Sequence, residues 1–160
     1  MDHIVTYTNN YLGPLFLCTF TLIVTFASLF LFGLIYGLST TFFIIGLFML
    51  FITLYSYVMT AVINPGIPNR NYQRNLTECS NFLQEDFKLN YCEKCRIIRE
   101  PTKAIHHCLE CDICIEGFDH HCPWTGKCIG GRNSKYFYTF VAFLFIMLFY
   151  FMGVSIILTP

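Results

Sequence analysis

Between Tyr11 and Ile63 the chain carries no charged side chain, and a second uncharged stretch runs from Tyr136 to Leu158. A hydrocarbon core about 30 Å thick is crossed by about 20 apolar residues in a helix, so the first stretch has room for two spans and the second for one. All ten Lys and Arg lie between Arg70 and Lys135 together with nine of the ten acidic residues, and only Asp2 stands outside. Backbone in lipid has to satisfy its own hydrogen bonds, which makes the uncharged stretches helices. A buried hairpin of a soluble protein would show one apolar stripe, whereas these segments are apolar on every face. The hydrophobic fraction of 55%, against 12% charged, agrees with a membrane protein.

The sequence therefore predicts an all-α integral membrane protein with three transmembrane helices. The first covers about Gly13 to Gly37 (13–37) and the second about Thr41 to Ile63 (41–63), with a luminal turn at Leu38-Ser39-Thr40 (38–40). Asn64-Pro65-Gly66-Ile67-Pro68 stops the second helix, because proline lacks the next backbone donor and glycine favours the turn. A polar linker, 64–90, precedes a cysteine-rich domain, 91–135, and the third helix, 136–158. The positive-inside rule puts the basic loop in the cytosol, and with it the N-terminal residues 1–12. The C-terminus then faces the lumen, and the Asn75-Leu76-Thr77 sequon stays bare. The N-terminus lacks the basic region of a signal peptide, so no cleavage is expected. A net charge of zero gives no reason to expect a nucleic-acid partner.

Seven of the nine cysteines and four of the five histidines crowd between Tyr91 and Arg132. The candidates are Cys92, Cys95, His106, His107, Cys108, Cys111, Cys114, His120, His121, Cys122 and Cys128, many at C-x-x-C spacing. With interleaved histidines, that pattern points to zinc in a reducing compartment rather than to disulfides. Two closed tetrahedral sites use eight of these eleven groups. One group left over belongs to the His106–His107 pair. The other two lie in Asp119-His120-His121-Cys122, where a thiol stands beside imidazoles and a carboxylate.

The arrangement Cys92-x-x-Cys95, His107-Cys108-x-x-Cys111-x-x-Cys114, Asp119-His120-His121-Cys122-Pro123-Trp124 and Cys128 resembles the DHHC protein S-acyltransferases, from the Asn64-Pro65-Gly66 turn through the third span. The resemblance implies a cytosolic, loop-rich domain with two structural zinc ions. Cys92, Cys95, His107 and Cys114 would hold one, and Cys108, Cys111, His121 and Cys128 the other, with His106 unliganded. Cys122 would be the nucleophile, His120 its base and Asp119 the orienting carboxylate. The implied reaction moves a long-chain acyl group from acyl-CoA through a Cys122 thioester to a cysteine of a membrane-associated protein substrate. The implied location is a multi-pass position in the endomembrane system (ER or Golgi) rather than the plasma membrane, with the catalytic loop cytosolic.

Departures from the family pattern are Asn64 in place of the usual Asp, a longer spacing from Cys95 to Cys108, and Lys127 where asparagine is frequent. Members usually carry four or more spans and a Thr-Thr-x-Glu motif. The fourth span is absent here, which motivates an alternative: a catalytically impaired zinc-stapled membrane adaptor, or a subunit of a larger acyltransferase whose partner supplies the missing span. A membrane-anchored RING-type module fits less well, since the triple spacing of Cys108, Cys111 and Cys114 is foreign to that pattern.

The remaining candidates carry weaker expectations. Lys127, Arg132 and Lys135 are candidates for CoA phosphates or anionic lipid, with topogenesis the plainer reading for any one of them. Cys18 reads as a small buried hydrophobe, Cys79 as a loop thiol or an acyl acceptor, and His3 as a solvated terminal residue. Asn133 and Phe137 are expected to pack on the zinc module, and Trp124 to meet the membrane interface or the acyl chain.

Overall fold

The computed structural model describes residues 12–37, 40–68, 91–99 and 101–158. The uncharged stretches form α1, Leu12–Tyr36, α2, Thr40–Val62, and α3, Ser134–Leu158. Among the described residues, Thr40–Val62 and Ser134–Ile157 are long and apolar enough to cross a bilayer, and Gly13–Ser28 is a shorter apolar stretch. The turn expected at 38–40 falls largely on residues 38 and 39, outside the described residues, as do His3, Cys79 and the sequon. α1 ends at Gly37, whose φ of 57° is the left-handed conformation that glycine adopts without cost.

α2 packs chiefly on α3, with Tyr57 buried and its ring 5.2 Å from that of Phe140. Three of the hydroxyls buried along α2 are satisfied within that helix. Thr53 donates to the Met49 carbonyl, Ser56 to Ile52 and Thr60 to Ser56, which removes most of the cost of placing them there. The outward faces stay apolar, with Phe26 70%, Phe51 66% and Phe149 65% exposed. Apolar surface on this scale needs lipid as its solvent, and the chain is a membrane protein.

Between α2 and α3 the domain combines loops and turns with short strands. Three antiparallel hairpins follow one another: β1 (Tyr91–Cys92) with β2 (Ile97–Ile98), β3 (His106–Cys108) with β4 (Ile113–Ile115), and β5 (His120–Cys122) with β6 (Lys127–Ile129). The all-α description therefore holds for the apolar segments alone. Strands of two or three residues are too short to show a period of two, which is why the pattern does not announce them. Two-stranded hairpins are marginal in water. The buried clusters here, Cys92, Ile97, Ile105 and Cys114 in one and Cys108, Ile115 and Cys128 in the other, are largely sulfur. Cores this small call for cross-links.

The hairpins are seated on the end of α2. Asn64 Oδ1 accepts the N–H groups of Gly66 and Ile67 at 2.9 Å, closing the turn that proline begins. Gly66 O then accepts from Glu116 N at 2.8 Å and Pro65 O from Arg132 N at 3.2 Å. A Cβ on Gly66 would lie 2.9 Å from Glu116 O, so the approach demands glycine. The last carbonyls of a helix have no partner within it. Here Lys127 Nζ donates to Ala61 O and Ile63 O at 2.8 Å, and Asn133 Nδ2 donates to Thr60 O at 3.2 Å.

Candidate functional site

Strand alternation sorts the cysteine-rich residues into three destinations. Successive side chains of a strand point to opposite faces. In β3 and β4, His107 pairs with Cys114 and points to one side, while the adjacent Cys108 points to the other. In β5 and β6, His121 pairs with Cys128 on one face, leaving His120 and Cys122 together on the opposite face.

Two groups result, Cys92, Cys95, His107 and Cys114, and Cys108, Cys111, His121 and Cys128. Within each group the potential ligand atoms all lie within 4.8 Å of one another. His107 Nδ1 stands 3.5, 3.3 and 3.7 Å from the sulfurs of Cys92, Cys95 and Cys114. His121 Nδ1 stands 3.8, 3.4 and 3.7 Å from those of Cys108, Cys111 and Cys128. Around tetrahedral zinc, a nitrogen at about 2.0 Å and a sulfur at about 2.3 Å are about 3.5 Å apart, so the donor sets fit two zinc ions. His107 Nε2 donates to Asp112 Oδ1 at 3.2 Å, the outer contact that fixes the tautomer of a metal-binding imidazole. Burial, then the neighbouring thiols, push the Cys114 and Cys128 thiols far above the usual range. Thiols packed this way ionise readily only opposite a cation.

Cys122 belongs to neither group, although it is buried. With His120 it lines a cavity of about 610 Å³ whose other walls include Phe16 and Phe20 of α1, Phe137, Phe140 and Leu144 of α3, and Trp124. The His120 ring lies edge-on to Phe137 at 5.1 Å. Asp119 Oδ2 is 3.6 Å from His120 Nδ1, a contact between polar groups that is too long for a hydrogen bond. The same oxygen accepts the Tyr138 hydroxyl at 2.5 Å, and Asp119 N donates to Ile129 O at 3.0 Å. Tyr57 of α2 donates to the Trp124 carbonyl at 3.0 Å, tying the turn after Cys122 to the bundle. The arrangement joins a thiol, an imidazole and a carboxylate to an apolar chamber.

Lys127 requires a correction. Far from facing solvent or a phosphate, it is 1% exposed and spent on the α2 carbonyls, with burial lowering its pKa to about 8. As the cross-strand partner of Cys122 it lies on the same face of the hairpin, where it reaches the end of α2. Arg132 and Lys135 remain exposed. Asn133 is buried and holds Cys128 O through Nδ2 at 3.0 Å, while Phe137 meets the module at His120. His106 is exposed and lies outside both groups, its ring 6.3 Å from Phe118. Cys18 is partly buried in α1. Sequence reasoning missed Asp112, Tyr57 and Tyr138. Asp112 had a signal in its place beside Cys111, whereas Tyr57 and Tyr138 sit in apolar helices where tyrosine is ordinary packing.

A family model described as DHHC palmitoyltransferase matches residues 85–159. Palmitoyltransferase ZDHHC18-B of Danio rerio is 52% identical over 61 residues, 38% of this chain and 15% of that protein. Palmitoyltransferase ZDHHC9 of Homo sapiens is 47% identical over 70 residues, covering 44% of this chain and 19% of its own. Palmitoyltransferase ZDHHC14 of Homo sapiens is 47% identical over 74 residues, covering 44% and 15%. The chain thus spans less than a fifth of the length of these relatives. Residues 85–159 thus match the DHHC palmitoyltransferase family, by the family model and by relatives named as palmitoyltransferases.

Proposed function

We propose that the chain is the catalytic part of a protein S-acyltransferase, with Cys122 as nucleophile, His120 as base and Asp119 as the carboxylate that orients His120. The observation that carries this reading is the position of Cys122: outside both four-ligand groups, on the wall of an apolar cavity, beside His120. The cavity volume of about 610 Å³ falls among sites for small molecules, which run from about 300 to 1,000 Å³.

In the first step His120 takes the Cys122 Sγ proton as the sulfur attacks the thioester carbonyl of a long-chain acyl-CoA. The C–S bond to CoA breaks, and the CoA sulfur leaves with the proton returned by His120. In the second step a cysteine thiol of a membrane-associated protein attacks the Cys122 thioester by the same relay and restores the thiol. Asp119 stabilises the His120 imidazolium that forms in each step. The acyl tail occupies the cavity, where burial is worth about 0.8 kcal/mol per CH₂. Arg132 and Lys135 are the cations exposed beside α3 and suit the CoA phosphates. Zinc at the two groups supplies charge neutralisation for six thiolates and cross-links the hairpins. The domain layout goes with this reading: three spans at 13–37, 41–63 and 136–158, a cytosolic linker at 64–90 and a cytosolic cysteine-rich domain at 91–135, in an endomembrane.

Incubation of the purified protein with radiolabelled palmitoyl-CoA tests the proposal. Wild type is expected to take up hydroxylamine-sensitive label that Cys122→Ser lacks. Equal label on both proteins, or none on wild type, overturns it.

A further inference from the structure

The second and third hairpins are copies of one another. His106 to Gly117 aligns without a gap on His120 to Gly131, identical at six of twelve positions: His106, His107, Cys108, Cys114, Ile115 and Gly117 on the first copy. Their registers agree, since His107 faces Cys114 as His121 faces Cys128, and Cys108 faces Ile113 as Cys122 faces Lys127. The first hairpin shares the turn, with Cys92 facing Ile97. In all three turns the fourth residue has a positive φ, 56° at Arg96, 52° at Asp112 and 65° at Gly126.

One rule then generates both metal groups. The turn of one hairpin gives a C-x-x-C pair, Cys92 with Cys95 or Cys108 with Cys111. The following hairpin gives the His before its own first turn cysteine and the Cys facing that His, His107 with Cys114 or His121 with Cys128. Carried into the third hairpin, the rule puts Cys122 at the first ligand position of a turn pair and Thr125 at the second. Thr125 is 1% exposed, and its Oγ1 donates to the Cys122 carbonyl at 3.3 Å. Threonine is not among the side chains that hold zinc in such sites. No fourth hairpin follows: α3 begins at Ser134, and the face of Cys122 and His120 opens on the cavity instead.

We infer that the third hairpin is a metal-binding turn with one ligand replaced, and that the lack of a ligand side chain at position 125, where Thr125 stands, keeps Cys122 off zinc and free to react. The inference builds on the reading of Cys122 as nucleophile. Its test, however, reads metal and thiol without acyl-CoA, so a failure of acyl transfer would strike the proposed function alone.

The test uses the full chain in detergent with a non-thiol reductant present throughout. Thr125→Cys restores the turn pair, and with His120 on the same strand face it offers three protein ligands, a set that zinc accepts with water in the fourth position. Zinc per chain is expected to rise from two to three. Alkylation of Cys122 by iodoacetamide, mapped by mass spectrometry, is expected to fall about tenfold or more, since a metal-bound thiolate is a poor nucleophile toward the reagent. A weak chelator that strips the third metal alone should restore it. Thr125→Val, which removes the hydroxyl but adds no ligand, stays at two metals and leaves Cys122 open to the reagent. Should Thr125→Cys lose the native pair of metals, Thr125→His carries the same test. Two metals or fewer in both ligand variants, or a third metal that leaves Cys122 alkylation unchanged, overturns the inference.

Discussion

The β3–β4 and β5–β6 hairpins share length, register and turn conformation, yet their leading cysteines meet opposite fates. Cys108 is drawn into a group of four ligands with Cys111 beside it; Cys122, at the same place in its hairpin, has Thr125 beside it and an apolar cavity in front. The histidines two residues earlier differ in the same sense. His106 is exposed against Phe118, while His120 stands against Phe137 with Asp119 behind it. Backbone alone therefore does not decide whether a thiol joins a four-residue Cys/His group or faces a cavity. What differs is the sulfur's neighbours, a second cysteine and the next hairpin for Cys108, a hydroxyl and a chamber between helices for Cys122.

Removing the metal should erase the contrast altogether. Apparent zinc binding energies of about 10–16 kcal/mol in small zinc domains exceed what short hairpins hold by themselves. Full chelation is expected to release every cluster thiol to alkylation and abolish autoacylation; retention of either hairpin's protection in zinc-free protein would refute the role given to the metal.

Serine at the two leading cysteines comes next. Cys122→Ser should lose all hydroxylamine-sensitive label and keep two zinc ions by elemental analysis, whereas Cys108→Ser should give up one zinc. Loss of zinc from the first variant and not the second would invert the assignment.

For the histidines, His120→Gln is expected to slow autoacylation by about 10²–10⁴, the usual worth of a positioned acid–base group. His106→Gln should shift stability by no more than about 0.5 kcal/mol and leave the rate near wild type. Equal rate losses at both positions, measured by single-turnover labelling, would remove His120 as the base.

The two residues facing the leading cysteines separate by stability. Lys127→Met strands the Ala61 and Ile63 carbonyls and should cost about 1–3 kcal/mol. Ile113→Met keeps volume and character and should cost less than about 1.5 kcal/mol. Thermal melts of the zinc-loaded protein rank them, and a Lys127 variant as stable as wild type would deny it the capping role. The smallest effect is expected at Tyr138→Phe, which takes one donor from Asp119 and should slow autoacylation by about two- to tenfold, the worth of one ordinary hydrogen bond. A change in the pH profile of the rate, absent from a variant that merely loosens α3, would mark the effect as acting through Asp119 and His120.

Much of this contrast was already legible in the chain. The count of eleven ligand-type residues against eight coordination places leaves a thiol over, and the resemblance carried by Asp119-His120-His121-Cys122 names it. Less legible was how the module is seated. Lys127 reads as a surface cation because lysine mostly is one, and only the end of α2, some sixty residues earlier, supplies carbonyls that take it inward. The hairpins escaped notice because their strands are two or three residues long, and the copy of 106–117 in 120–131 is obscured where Leu109-Glu110-Cys111-Asp112 becomes Pro123-Trp124-Thr125-Gly126.

By itself the sequence determined the helices and the ligand inventory, because charge-free length and C-x-x-C spacing are local properties that chemistry reads directly. Tertiary structure decided which way each ligand faces, since a pleat turns neighbours such as His120 and His121 to opposite sides. It also decided what lies in front of Cys122, since a cavity bounded by Phe16 and Leu144 exists only once α1 and α3 have packed around it.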